Sequence, residues 1–369
     1  MSIDLAGRCV WVSDLKSGKD FRVAYDKLLI ATGSVPFRPD IPGIDAWGIF
    51  GANSLRSGID MLHVLERDAP KRAVIAGGGY IGLEMAEALA RRGLNVSLVE
   101  KASEVMNTLD PDMGVIVSSA IRGIGISLYL GEAIEGFETA AGQLQAVITD
   151  KRTIPADIVI LSLGVRPNSD LAHKAGIPQG ERGAVKVNDR MQTRFEGVWA
   201  AGDCAESFNI VSRKPYYISL GTVANKQGRV AGVNMGGGYS TFPGVLGTAV
   251  SRICDLEVAR TGLQESEIRA LGLECTVSRV ESQTRAYYFP GSGLITVKLL
   301  AEKESGRLLG GQIVGNEGAA KRIDIVAMAL HAGFMIWELV NFDLSYAPPF
   351  SPVWDPVLKA SRRAAEQFK

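Results

Sequence analysis

The feature that most constrains this chain is a glycine triplet, Gly77-x-Gly79-x-x-Gly82, set between a short apolar run at 73–76 and a helix-forming stretch at 81–92. Gly77 permits a tight turn, Gly79 lets the backbone approach a pyrophosphate, and Gly82 lets the helix pack closely on the strand. The helix N-terminus then offers free N–H groups to phosphate. The helix is expected to bury Ile81, Met85 and Leu89 on one face and to stop at Gly93, with the next strand at 96–99. Glu100 closes that strand 18 positions after Gly82, where it can accept hydrogen bonds from the adenine ribose hydroxyls. A carboxylate there favours NADH, because a 2′-phosphate would meet it; Lys101 beside it keeps NADPH as an alternative. Strand, glycine turn, helix, strand and acidic residue together make a βαβ dinucleotide-binding unit.

The chain around this unit is long enough for two or three domains, with 369 residues and 46% hydrophobic content. Forty basic and forty acidic residues cancel without long runs of one sign, which predicts neither a nucleic-acid nor a membrane partner and points to small-molecule ligands. No stretch approaches the roughly 20 apolar residues of a membrane span, and the first residues lack the pattern of a secretory signal, so the expected location is the cytoplasm. Cys9, Cys204, Cys254 and Cys275 are far apart with no CxxC pair, and His63, His173 and His331 are scattered; no disulfide framework or metal site is expected.

Along the chain, alternation around 9–12 and 21–25, broken by Ser17-Gly18-Lys19, predicts a hairpin. Leu28-Leu29-Ile30-Ala31-Thr32-Gly33 reads as a buried strand ending in a glycine turn, Pro36, Pro39 and Pro42 as a linker, and 61–66 as a short helix. The run 158–163 predicts a second apolar strand, ending at Gly164 before Arg166-Pro167-Asn168. Val198-Trp199-Ala200-Ala201-Gly202-Asp203 is a third strand-to-turn motif, followed by a helix at 222–235 and by Gly236-Gly237-Gly238, a candidate boundary. Beyond it, 294–300 reads as a strand and 319–337 as one long apolar helix, while 345–350 is too proline-rich to be helical.

The order of these motifs, Tyr25 to Gly33, the glycine triplet, Gly164 to Asn168, then Trp199 to Asp203, resembles the pyridine nucleotide-disulfide oxidoreductases, in which an NAD domain is inserted into an FAD domain. The resemblance covers nearly the whole chain. It implies an α/β fold of two nested Rossmann-like domains, binding FAD and NAD(P)H, plus a C-terminal α+β dimerisation domain. The implied divisions are 1–57 and 167–238 for FAD, 58–166 for NAD(P), and 239–369 for dimerisation. By the same resemblance Asp203 and Gly202 meet the ribityl chain of FAD, Thr222 begins a helix aimed at the flavin, and Thr32 and Gly33 lie on its adenine side. Tyr80 and Glu84, with Ile81 between them in the fingerprint helix, match residues at the nicotinamide, and Gly164 belongs to the same cofactor-binding set. Ala286-Tyr287-Tyr288-Phe289-Pro290-Gly291 and Leu344-Ser345-Tyr346-Ala347-Pro348-Pro349-Phe350 resemble the coenzyme A-disulfide reductase and NADH oxidase branch, where Tyr288 and Tyr346 match two interface tyrosines reaching a partner's active site. The His-x-x-x-x-Glu ending of the glutathione and lipoamide branch is absent.

Chains of that family begin with a further GxGxxG for the FAD pyrophosphate and a helix carrying a redox cysteine. The sequence at hand starts at the hairpin before the Thr32-Gly33 turn, so about 60 residues of the pattern are missing, which leaves FAD retention open. The reaction implied is hydride transfer from NADH to flavin and onward to a disulfide such as coenzyme A disulfide or a persulfide. An NADH oxidase or peroxidase, and a flavin-free NAD(H)-binding dimer, are the alternatives. A homodimer is expected on the further ground that Ile323, Val326, Leu330 and Phe334 line one face of the 319–337 helix and need cover, unless the chain's own core supplies it.

Overall fold

A computed structural model describes residues 1–368 and divides the chain into two compact units: Met1–Phe37 with Val165–Gly247, and Arg38–Gly164 with the chain from Thr248 onward. Among the described residues no helix is long and apolar enough to cross a membrane.

The first unit opens with an antiparallel meander, Ser2–Asp4, Cys9–Ser13 and Asp20–Ala24, whose second connection is the expected hairpin. Leu28–Ile30 then pairs in parallel with Val198–Ala200. Period-two alternation gives this short pair two apolar faces: Val198 and Ala200 pack with Ile30, Ile177, Val185 and Cys204, while Trp199 and Ala201 pack with Val223 and Val230 of the helix Gly221–Met235.

In the second unit a parallel sheet runs in the order Ile49–Gly51, Ile158–Leu161, Arg72–Ala76, Asn95–Glu100, Ser127–Leu130. Its central strands read as unbroken apolar runs because both faces are covered. Helices Leu55–Arg67, Tyr80–Arg91 and Pro111–Gly123 pack on one side around Ile75, Ile158 and Ile160. A three-stranded antiparallel sheet carrying Phe137, Leu144 and Val147 packs on the other around Val74, Val159 and Leu161. A second five-stranded sheet, antiparallel, follows in the order Ala249–Ile253, Leu256–Gly262, Leu308–Gly315, Leu294–Glu302, Cys275–Gln283. Its Ile253, Val258 and Val314 join the core on the helical side of the parallel sheet, which is why these two segments form one unit.

Three expectations need correction. The fingerprint helix buries Gly82, Leu83, Ala86 and Leu89, while Ile81 is 42% exposed. The phase is set by Gly82, where a Cβ would lie 2.0 Å from the Gly77 carbonyl oxygen, and that contact turns Ile81 outward. The helix read from 61 begins at Leu55, with the Ser54 hydroxyl accepting from the Ser57 N–H. The long helix read to 337 ends at Ala332, where Gly333 adopts φ 74°, and a separate turn of helix covers Ile336–Leu339. Ile323, Val326 and Leu330 are buried within the chain, so that face supplies no argument for a dimer.

The start of the parallel sheet is tied by Asp157, whose carboxylate accepts from the Lys71 and Arg72 N–H groups (2.9 and 2.8 Å) and from the Arg72 guanidinium (2.6 Å). The hydrogen-bonded Arg72 side chain holds the Asp157 pKa below its usual value, outweighing partial burial. A depressed pKa contributes stability that is present above the unfolded value and is lost as pH falls through the folded one. Asp157→Ala is therefore expected to cost about 1–2 kcal/mol at pH 7, with the gap to the parent closing below about pH 4; urea titrations at the two pH values read this directly.

Candidate functional site

The glycine triplet sits as its spacing requires. Gly77 has φ 101°, and a Cβ there would lie 2.4 Å from the Ser162 carbonyl oxygen. The helix Tyr80–Arg91 starts from Gly79 with no side-chain cap, leaving its first N–H groups to whatever lies in front of them. A Cβ built on Gly79 meets nothing within 4 Å, so the space before the helix is clear. Uncapped donors, the helix dipole and an open approach suit a pyrophosphate.

Glu100 faces this turn. Its carboxylate accepts from the Gly78 N–H at 2.6 Å and the Ala102 N–H at 2.8 Å, one bond to each oxygen. A carboxylate has about four acceptor positions, so ribose hydroxyls can still be held, whereas a 2′-phosphate would face its charge. Lys101 is exposed next to it. Tyr80 is half-buried, and its hydroxyl accepts from that of Thr108 at 3.1 Å. Glu84 is exposed on the same helix and accepts from the Ser251 hydroxyl at 2.7 Å, so it is held in place and is not a freely solvated carboxylate. Gly164 has φ 86° with nothing within 4 Å of a built Cβ.

The first unit gathers the other predicted residues. The Thr32 hydroxyl donates to the Asn168 carbonyl at 2.5 Å, and the Asn168 amide returns a bond to the Thr32 carbonyl at 3.1 Å. Gly33 and Gly202 have φ 72° and 81°. The Gly202 N–H donates to the fully buried Gln227 at 2.8 Å. One oxygen of Asp203 accepts from the Ser219 and Ser34 hydroxyls at 2.5 and 3.2 Å; its second oxygen takes neither bond. Tyr217 donates to the Asp203 carbonyl at 3.0 Å, and its own pKa is pushed up to about 12, chiefly by burial and then by the Asp203 charge. Thr222 is exposed in the first turn of the helix Gly221–Met235, which also has no side-chain cap. Left-handed glycines, an oriented carboxylate and an uncapped helix fit the polyol and phosphate groups of a flavin dinucleotide. Cys204 is fully buried against the Ile30 and Ala201 carbonyls, a packed thiol with no room for a partner.

Tyr288 and Tyr346, far apart in sequence, are neighbours in space, close enough for Tyr346 to act on the Tyr288 phenol. Both remain solvent-accessible, at 64% and 48% exposure, and the Tyr287 ring stands edge-on to Tyr288 at 5.5 Å. The Tyr288 pKa is raised by desolvation first and by Tyr346 second, so its hydroxyl is a proton donor at neutral pH.

Sequence reading missed the partners that orient these groups, Ser34, Ser219, Gln227, Thr108 and Ser251, because small polar residues carry no signal until the fold brings them close. It also missed a carboxylate cluster. Asp110, Asp112 and Glu265 place oxygen atoms within 4.8 Å of one another, and the Lys298 ammonium lies among them.

Residues 1–228 match the family model described as pyridine nucleotide-disulphide oxidoreductase, and 248–356 match the dimerisation domain of that family. The chain is 39% identical to the NAD(P)H sulfur oxidoreductase (CoA-dependent) of Pyrococcus furiosus, over 94% of this chain and 78% of that protein. A protein of Methanocaldococcus jannaschii named NADH oxidase is 38% identical, over 96% and 78%. The solved structure of an NAD-dependent persulfide reductase from A. fulgidus superposes with a TM-score of 0.96 at 36% identity, covering the whole of this chain and 68% of that one.

Proposed function

The chain belongs to the pyridine nucleotide-disulphide oxidoreductases, enzymes that use FAD and NAD(P)H, and from that premise we propose that it is an NADH-dependent reductase of coenzyme A disulfide or persulfide acting as a cytoplasmic homodimer. The match to a dimerisation domain supports the dimer.

In this reading the Gly77–Gly82 turn and the helix behind it hold the NADH pyrophosphate, and Glu100 holds the adenine ribose. Tyr80, Ile81 and Glu84 flank the nicotinamide, with Gly164 completing the strand end beside them. Thr32, Gly33, Gly202, Asp203 and Thr222 hold FAD. Bound flavin supplies the step that a side chain cannot, accepting a hydride and passing two electrons on. Net, NADH and one proton reduce RS–SR to two thiols. The observation that supports a disulfide acceptor is the solvent-accessible pair of neighbouring tyrosines, Tyr288 and Tyr346, whose Tyr288 phenol has a raised pKa and stays protonated to meet the thiolate released when the S–S bond breaks.

The test is a visible absorption spectrum of the chain with added FAD, before and after anaerobic NADH, followed by coenzyme A disulfide. A flavin band that bleaches with NADH and returns with the disulfide is the expected result. Return only on admitting oxygen would favour an NADH oxidase, the reading that the Methanocaldococcus jannaschii relative supports; no bleaching would overturn both. Nucleotide choice has a separate check. Glu100→Gln is expected to raise the NADPH-to-NADH affinity ratio about tenfold, ~1.4 kcal/mol, in fluorescence titrations.

A further inference from the structure

Tyr288 and Tyr346 lie on segments with little packing of their own. Tyr287 is 83% and Phe350 76% exposed, so apolar burial does not fix the shape of either segment. One buried side chain touches both. Arg322, on the helix Ala319–Ala332, is 8% exposed and directs its guanidinium at four acceptors. Its Nη2 donates to the Thr284 carbonyl at 2.8 Å and to the Phe350 carbonyl at 2.9 Å. Its Nη1 donates to the Gly318 carbonyl at 2.8 Å and its Nε to the Asp355 carboxylate at 2.8 Å. Thr284 is four residues before Tyr288, and Phe350 four residues after Tyr346. A single nitrogen therefore bridges the roots of the two tyrosine-bearing segments.

The surroundings hold that nitrogen still. Asp355 also accepts from the Ser351 hydroxyl at 3.2 Å and from the Val357 N–H at 2.9 Å, where it caps the helix Pro356–Ala365. Closer to the tyrosines, the Ala286 N–H donates to the Pro348 carbonyl at 3.1 Å, a second rung between the same two segments. A planar fork of five N–H donors can satisfy four acceptors in different directions; a lysine ammonium, with three donors on one atom, cannot reach them all.

We propose that Arg322 is the positioning residue of the Tyr288–Tyr346 pair, setting the spacing of the two hydroxyls from behind without touching substrate. This rests on the reading that the pair serves the acceptor, but the positioning is measurable without any activity. The experiment labels tyrosine ring carbons in the full chain and follows their NMR lines, assigned with Tyr288→Phe and Tyr346→Phe. In the parent, Tyr346→Phe is expected to move the Tyr288 line, because the Tyr346 hydroxyl acts on the neighbouring Tyr288 phenol. In an Arg322→Met background that cross-effect should vanish while the lines of Tyr25, Tyr80 and Tyr217 stay put. Arg322→Lys should retain part of it and decides the matter if the methionine variant fails to fold. A cross-effect of unchanged size in either folded variant overturns the proposal. A parent that shows the cross-effect yet turns over no disulfide would instead remove the functional reading and leave the positioning intact. Where turnover is present, the disulfide-dependent kcat is expected to fall at least tenfold in Arg322→Met and to be partly recovered in Arg322→Lys.

Discussion

Lys298→Met is expected to lower the free energy of unfolding by about 3–5 kcal/mol, the largest loss among the single substitutions considered. Lys298 is 1% exposed on the strand Leu294–Glu302, and its ammonium lies 2.6 Å from Asp112, 2.6 Å from Glu265 and 3.1 Å from Asp110. Asp110 is itself buried and accepts from the Gln312 amide and the Glu265 N–H, so it cannot turn to water when the lysine is gone. Methionine fills the channel but leaves that carboxylate charge unpaired. Burial alone would pull the Lys298 pKa down, but the three carboxylates outweigh it and raise it. A raised lysine pKa contributes stability in full below the unfolded value near 10.4 and loses it as pH climbs through the folded value. The difference between parent and variant in urea unfolding should therefore persist through neutral pH and shrink only in strong alkali; a difference under about 1 kcal/mol at pH 7 would mean that the cluster relaxes into solvent.

Two glycines of the same turn, three residues apart in sequence, should separate folding from binding. At Gly82 an added methyl group would lie 2.0 Å from a backbone oxygen, so Gly82→Ala is expected to cost about 1–3 kcal/mol or more through overpacking. At Gly79, with φ −78° and ψ −174°, alanine fits the backbone and meets nothing within 4 Å. Gly79→Ala should thus leave stability unchanged or slightly raised, yet weaken NADH about 100-fold, ~2.7 kcal/mol, because the methyl group occupies the approach to the helix N-terminus. Thermal melts and NADH fluorescence titrations on the two variants test both halves. Undiminished NADH binding by Gly79→Ala would remove the pyrophosphate from this turn.

The glycine turn was legible in the sequence because its chemistry is steric and local: Gly77, Gly79 and Gly82 act on atoms within a few residues or on the next strand. The phase of the helix behind it was misread, since Ile81, Met85 and Leu89 also fit a four-residue repeat, and only the closeness of Gly82 to Gly77 decides between the faces. The break at Gly333 was visible as a glycine but was overridden by the apolar residues on either side of it. Tyr288 and Tyr346 stood out through resemblance alone, and nothing local marks them as neighbours. Arg322 and Lys298 were invisible as hubs, because each takes its meaning from acceptors distant in sequence, such as Thr284 and Phe350 for the one and Asp110 for the other.

The parallel pairing of Leu28–Ile30 with Val198–Ala200 sets a timetable for synthesis. About 170 residues separate the partners, which at roughly 5–20 residues per second is on the order of 10–30 s of translation. Throughout that interval the earlier strand has emerged with its pairing edge bare, while the parallel sheet encoded in between has already been made. The nascent chain thus carries an unpaired strand edge, a template for pairing with other chains, until residues 198–200 have been made.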